Sequence, residues 1–131
     1  MNKSKDGLSQ RCSSWGLDSI DVEKPSLTIE QESGQVIAII KYKSKDSVPE
    51  YASQPTYRAI IDLGNRAGLP VIVCRYSGDY SWYAAMPLNG EARKIIPNRT
   101  EYDEAGWVKE LYRMRGREVP EEVLSGMRVE I

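Results

Sequence analysis

The chain has 131 residues, enough for one domain core and too few for two of ordinary size. Its 18 basic and 19 acidic residues leave a net charge of −1, so any attraction to nucleic acid or an anionic membrane has to come from local patches. There is no histidine, which excludes Ser-His-Asp and Cys-His nucleophile systems, His metal ligands and His-based pH switches.

Hydrophobic residues make up 40% and charged residues 28%, which fits a compact soluble domain and argues against a disordered, collagen-like or coiled-coil chain. Cys12 and Cys74 lie far apart without CxxC spacing, so reduced thiols in a cytoplasmic setting are expected. The opening MNKSKDGLSQ has no apolar stretch, and the longest apolar runs (36–40 and 69–74) are too short to span a bilayer. No membrane partner is expected.

In chain order, residues 1–14 are polar and aperiodic and read as a mobile N-terminal segment. Leu17, Ile20 and Val22 mark a short strand, and 26–31 (SLTIEQ) alternates as a second. Residues 32–35 (ESGQ) give a turn into a third strand at 36–43 (VIAIIKYK), so that three strands form a meander. A helix is predicted from about Ser53, with Pro55 in its first turn and Tyr57, Ile60, Ile61, Gly64 and Ala67 on one face. Gly68 and Pro70 end it.

The run 69–74 (LPVIVC) reads as a strand covered on both faces and parallel to its neighbour, because a helical crossover precedes it. Ser77-Gly78-Asp79 turns the chain into a last strand at 82–88. A C-terminal helix, signalled by Thr100 and Asp103, carries Trp107, Val108, Leu111 and Tyr112 on one stripe up to Gly116. Pro120 opens a short helix at 121–125. The expected order is β-β-β-α-β-β-α-α, a mixed sheet with a meander on one side.

Alternation puts Lys41 and Lys43 on one face of the third strand with Ile37 and Ile39, and Ile40 and Tyr42 on the other. Antiparallel pairing in the meander is expected to bring Asp21 towards the lysine pair. Asp21 in a first strand, a hairpin, Ile40-Lys41-Tyr42-Lys43, Gln54-Pro55-Thr56-Tyr57 at a helix start and an apolar strand ending Arg75-Tyr76-Ser77 together resemble the PD-(D/E)xK nuclease superfamily. The likeness is to small phage or prokaryotic restriction-endonuclease-like and Holliday-junction-resolvase-like domains, and it covers roughly residues 15–90.

The resemblance implies a single nuclease-like domain over 15–131 that hydrolyses DNA phosphodiester bonds with Mg²⁺ or Mn²⁺. Asp21 would be a metal ligand, position 41 the second ligand site, Lys43 the water-orienting cation and Gln54 a supporting residue. Such chemistry needs carboxylates, a hard divalent ion and a cation, and no histidine. The resemblance extends to a homodimer joined through the C-terminal helices, since two strands of a duplex need two sites, and to the host cytoplasm for a phage-encoded member.

Where the family carries an acid, this chain has Lys41. A like-charge pair at ~4 Å costs about 4 kcal/mol at an effective dielectric near 20. Metal binding is therefore expected to be weak or absent unless Asp18, Glu23 or Glu30 substitutes. Loss of catalysis, migration of the acid, and a single-transition Glu-to-Lys change selected against toxicity in a host are the three explanations. The alternatives to a nuclease are a silent DNA-binding protein, in which Lys41 and Lys43 hold phosphate without metal, and a phage-type inhibitor acting through its C-terminal helix.

Lys45, Arg75, Arg113, Arg115 and Arg117 are the candidate phosphate contacts. Each has a structural reading too. Arg75 is placed to pair with Asp79 across the turn, and the three C-terminal arginines complement a helix dipole. Tyr51, Tyr57, Tyr76, Tyr80, Trp82 and Tyr83 are read as core filler in a chain without Phe, with base stacking as the other use. Cys74 is expected to be buried and inert.

Overall fold

The computed structural model describes residues 3–23, 26–47 and 54–128. Among them are a six-stranded mixed sheet and five helices, in the order α1 (Lys3–Ser13), β1 (Ser19–Glu23), β2 (Leu27–Glu32), β3 (Gln35–Ser44), α2 (Pro55–Ala67), β4 (Val71–Tyr76), β5 (Tyr83–Pro87), α3 (Gly90–Arg93), β6 (Thr100–Tyr102), α4 (Glu104–Met114) and α5 (Glu121–Arg128). The strands lie side by side in sequence order. Only β3 and β4 are parallel, and every other neighbouring pair is antiparallel.

The meander forms as the alternation predicts. Ser33 and Gly34, both at positive φ (52° and 83°), make the two-residue β2–β3 turn, a conformation whose twist matches that of the flanking strands. Ala38 pairs with Glu30 and Val36 with Gln31, which leaves Ile37 as the extra residue of a bulge. Ile37 therefore packs against the same core as Ala38 and Ile40, not with Ile39 as strict alternation suggests.

Helix α2 crosses one sheet face. Its thirteen residues span about 20 Å, as do the six residues of β4. Because α2 ends where β4 begins, its first turn lies at the carboxyl ends of β3 and β4. Tyr57 and Ile60 pack on Ile39 and Val71 in a small core. Gly64 permits the closest approach, since a Cβ there would sit 2.2 Å from Val71 Cγ2. Gly68 caps the helix in the left-handed region at φ 70°, and the Leu69 amide donates back to the Gly64 carbonyl.

The opposite face carries the main core, in which Leu8, Trp15, Ile40, Tyr42, Ile72, Cys74, Tyr83, Trp107, Val108, Leu111 and Tyr112 are buried. Cys74 is free and fully buried, and burial raises its thiol pKa well above the ordinary value, as an inert core cysteine requires. The Trp107 indole donates to Tyr42 Oη at 3.2 Å. Within the N-terminal segment 1–14, Lys3–Ser13 form helix α1, with Leu8 in this core and Arg11 paired with the buried Glu104 at 2.5 Å. Trp15 Nε1 donates to the same carboxylate at 2.8 Å. An ion pair and an indole thus replace the apolar stripe that the sequence lacks there.

Three further boundaries differ from expectation. Thr100 belongs to the short edge strand β6, and Asp103 alone caps α4, accepting from Gly106 N at 2.7 Å. Helix α3 has a single turn, too short for a periodic signal, and starts at the buried Asn89. Helix α5 continues through Gly126. No helix among the described residues is long and apolar enough to cross a membrane.

Asn89 fastens the crossover. Its Oδ1 accepts from Val71 N and Ala92 N, and its Nδ2 donates to the Leu69 carbonyl and Asn65 Oδ1. At about 1 kcal/mol per net hydrogen bond, with a buried Val71 amide left unsatisfied, Asn89→Ala is expected to destabilise the fold by about 2–4 kcal/mol. Urea denaturation would show this as a lower midpoint with an unchanged slope.

Candidate nucleic-acid interface

Strand register decides which charged side chains share a surface. Asp21 pairs with Thr28, and Thr28 pairs with Ile40. Cross-strand partners point to the same face, and Thr28 Oγ1 donates to Asp21 Oδ1 at 3.3 Å. Asp21 therefore stands on the face of Ile40 and Tyr42. Lys41 pairs with Leu27 and Val73, and Lys43 with Arg75, on the α2 face. The expected meeting of Asp21 with Lys41 and Lys43 does not occur, because one residue of parity along β3 sends them through opposite faces of the sheet.

Of the proposed substitute acids, Glu30 has its carboxylate placed. Glu30 is buried on the Asp21 face and bonded to Arg115, and Asp18 offers its carbonyl to the same arginine. The irregularity between Asp21 and Glu23 puts Glu23 opposite Leu27, in register with Lys41. Among the described residues no three Cys, Asp or Glu side chains converge as a metal site. Asp21 and position 41 do not fit as joint ligands of one ion.

What the α2 face does assemble is a row of cations at the carboxyl ends of the parallel pair. Lys43, Arg75, Ala84 and Glu101 follow one another across β3, β4, β5 and β6. Lys45, exposed just beyond β3, extends the row, and its ammonium lies 5.3 Å from the centre of the Trp82 ring. Lys41 is 8% exposed and so contributes little contact surface. Gln54 is the N-cap position of α2, exposed, with an extended backbone and no side-chain capping bond, at this same end of the sheet.

Arg75 turns away from Asp79. Its Nη1 donates to the Ser44 carbonyl at 3.2 Å, the Ser47 carbonyl at 3.4 Å and Ser47 Oγ at 3.1 Å. This anchors one corner of the guanidinium on the β3 exit, and among the described residues Nε and Nη2 make no hydrogen bond. Asp79 is held by the serines of its own turn: Ser77 Oγ, Ser81 N and Ser81 Oγ all donate to its Oδ1. Those bonds favour the carboxylate and hold Asp79 down at about 2.

The three C-terminal arginines are spent on the fold. Arg115 has no exposed side-chain surface. It donates from Nη2 to Glu30 Oε1 at 2.7 Å and to the Asp18 and Gln31 carbonyls, and from Nη1 to the Leu111 carbonyl. Burial raises the Glu30 carboxyl, against the pull of the Arg115 hydrogen bond and charge. Arg117 pairs with Glu32 at 2.9 Å and lies over the Tyr112 ring. Arg113 bonds Glu110 and the Ile95 carbonyl. These residues lie on the sheet face opposite Lys43 and Arg75, so the fold does not join them to that pair in one surface, although Arg113 and Arg117 stay exposed.

Of the tyrosines and tryptophan read as core filler, Tyr57, Tyr76 and Tyr83 are buried. Tyr80 and Trp82 are half-buried, and Tyr51 lies outside the described residues. Sequence reasoning missed a cleft of about 470 Å³ between α1, α5 and the 77–82 turn, lined by Gln10, Arg11, Tyr80, Glu104, Val123 and Met127. The Arg11–Glu104 ion pair forms part of its wall, beside Glu122.

No protein-family model matches the chain, and no curated protein matches it. The class that the fold defines is mixed α/β, with one parallel pair in an otherwise antiparallel sheet.

Removing one partner of a buried ion pair leaves the other charge uncompensated. Arg115→Ala is therefore expected to destabilise the protein by about 3–5 kcal/mol, measurable by chemical denaturation. For Asp79 the folded carboxyl lies below its ordinary value of 3.8. Its contribution to stability is accordingly complete above about 3.8 and lost as pH falls through about 2. Carboxyl NMR should give that midpoint, and Ser81→Ala should move it upward.

Proposed function

We propose that this chain binds DNA through its phosphate backbone without a resident metal, using Lys43, Lys45 and Arg75 at the carboxyl ends of β3 and β4. The observation that carries this reading is Arg75. A guanidinium fixed at one corner, with its Nε–Nη2 edge unbonded among the described residues, is a bidentate donor set for a phosphate oxygen pair. Lys43 lies beside it, about 5 Å away across the strands, and Lys45 about 7 Å along. A backbone that carries one negative charge per nucleotide suits that spacing.

The sequence of elements, a meander followed by a helical crossover to a parallel strand, supports a restriction-endonuclease-like ancestry, with Lys41 standing where that lineage carries an acid. Under this reading the acid has been lost while the neighbouring cations persist. The register of Glu23 with Lys41 favours a second reading, in which hydrolysis with Mg²⁺ or Mn²⁺ depends on Glu23 in place of Asp21.

Three phosphate contacts give an expected slope of log affinity against log salt of about −2 to −3. Lys45→Ala should reduce that slope by about 1. Affinity measured by fluorescence anisotropy should be the same in EDTA and in Mg²⁺. Affinity that needs metal, or cleavage of plasmid or branched DNA that Glu23→Gln abolishes, would replace this reading with the hydrolytic one. A Lys41→Glu variant tests whether the missing acid alone silences the site, since it should then cut in Mg²⁺ or Mn²⁺.

A further inference from the structure

Among the described residues, the α2 face holds one aromatic side chain that neither core claims. Trp15 and Trp107 are 2% and 0% exposed, whereas Trp82 is half-buried and belongs to neither core cluster. It precedes β5 and shares the face of Ala84 and Arg75, as its hydrogen bond to Glu101 requires. Its Nε1 donates to Glu101 Oε1 at 3.2 Å, and Glu101 is itself fixed by Arg99 at 3.0 Å. The indole is thus tethered at its edge.

Resting on the DNA-binding reading above, we infer that Trp82 is a stacking platform for an unpaired base, and that the preferred ligand is DNA with a single-stranded segment. Stacking on an aromatic ring needs the base face, which a continuous duplex keeps covered by its neighbours. The charges around the ring set the direction of the strand. Lys43, Lys45 and Arg75 lie on one side of Trp82 and draw the phosphates there, while Glu101 on the other side is paired with Arg99 and adds no net positive charge. A backbone held along the cations therefore presents its bases towards the indole. Lys45 lies over the ring at 5.3 Å, so a base that stacks on that face takes the place of its ammonium, which swings to a phosphate.

The burial of Trp15 and Trp107 makes the test direct, because Trp82 is the tryptophan that a bound strand can reach. The full chain would be titrated with a thymidine oligonucleotide and, separately, with a blunt duplex of the same length, following tryptophan emission and anisotropy. The oligonucleotide should bind more tightly than the duplex and quench the emission. Trp82→Ala should weaken oligonucleotide binding by about ten-fold or more and weaken duplex binding several-fold less than that. Trp82→Phe should retain most of the affinity and lose the quenching. Circular dichroism melts would confirm that both variants fold.

Equal binding of the two ligands, untouched by Trp82→Ala, would overturn this inference and leave the phosphate-binding reading standing. Binding to neither would overturn both.

Discussion

The parallel pairing of β3 with β4 is the constraint on which the rest of the architecture depends. Parallel neighbours cannot be joined by a tight turn, so the chain must leave the sheet and return, and α2 is that return. Its apolar side buries Ile39 and Val71, Gly64 allows it to lie close, and Asn89 ties the re-entry point to α3. Both strands therefore end together beside the first turn of the helix. That sheet end is where a ligand crevice belongs in an open α/β fold, and where Lys43 and Arg75 become neighbours.

The other face of the sheet follows different physics. Apolar contacts dominate it, but two buried ion pairs fix how its helices attach. Arg11 with Glu104 docks α1 against α4, and Arg115 with Glu30 docks the end of α4 against β1 and β2. Burying charges is costly unless hydrogen bonds satisfy the remaining valences. Trp15 completes the first pair, and three backbone carbonyls satisfy the Arg115 Nη atoms of the second, whose buried Nε makes only a 3.4 Å charge contact with Glu32. An arginine cluster that looks like a phosphate patch in the sequence is thereby consumed as structure. Lys43, Lys45 and Arg75 stand on the α2 side of the sheet.

How far the sequence could be read follows the range of the forces involved. The β2–β3 turn, the bounds of α2 with Pro55 first and Gly68 last, the buried run of β4 and the stripe of α4 were all legible, because each rests on contacts within a few residues. Helix α1 was not, since a polar segment with one large apolar residue in place owes its burial to Glu104, 93 residues from Arg11. Neither α3 nor β6 is long enough to show a period. For the candidate site, Lys43, Lys45 and Arg75 were legible as cations at strand ends, whereas the separation of Asp21 from Lys41 was not.

By itself the sequence determined the α/β class, the meander, the crossover helix and the absence of histidine chemistry, because composition and periodicity carry that information locally. Only the tertiary structure decided which charges face which side of the sheet. Facing in a strand changes with every residue, and a single bulge or a one-residue shift in register reverses it. Where an arginine ends up is likewise settled by elements far apart in the chain, which is why Arg115 is buried against Glu30 while Arg75 is anchored at the β3 exit.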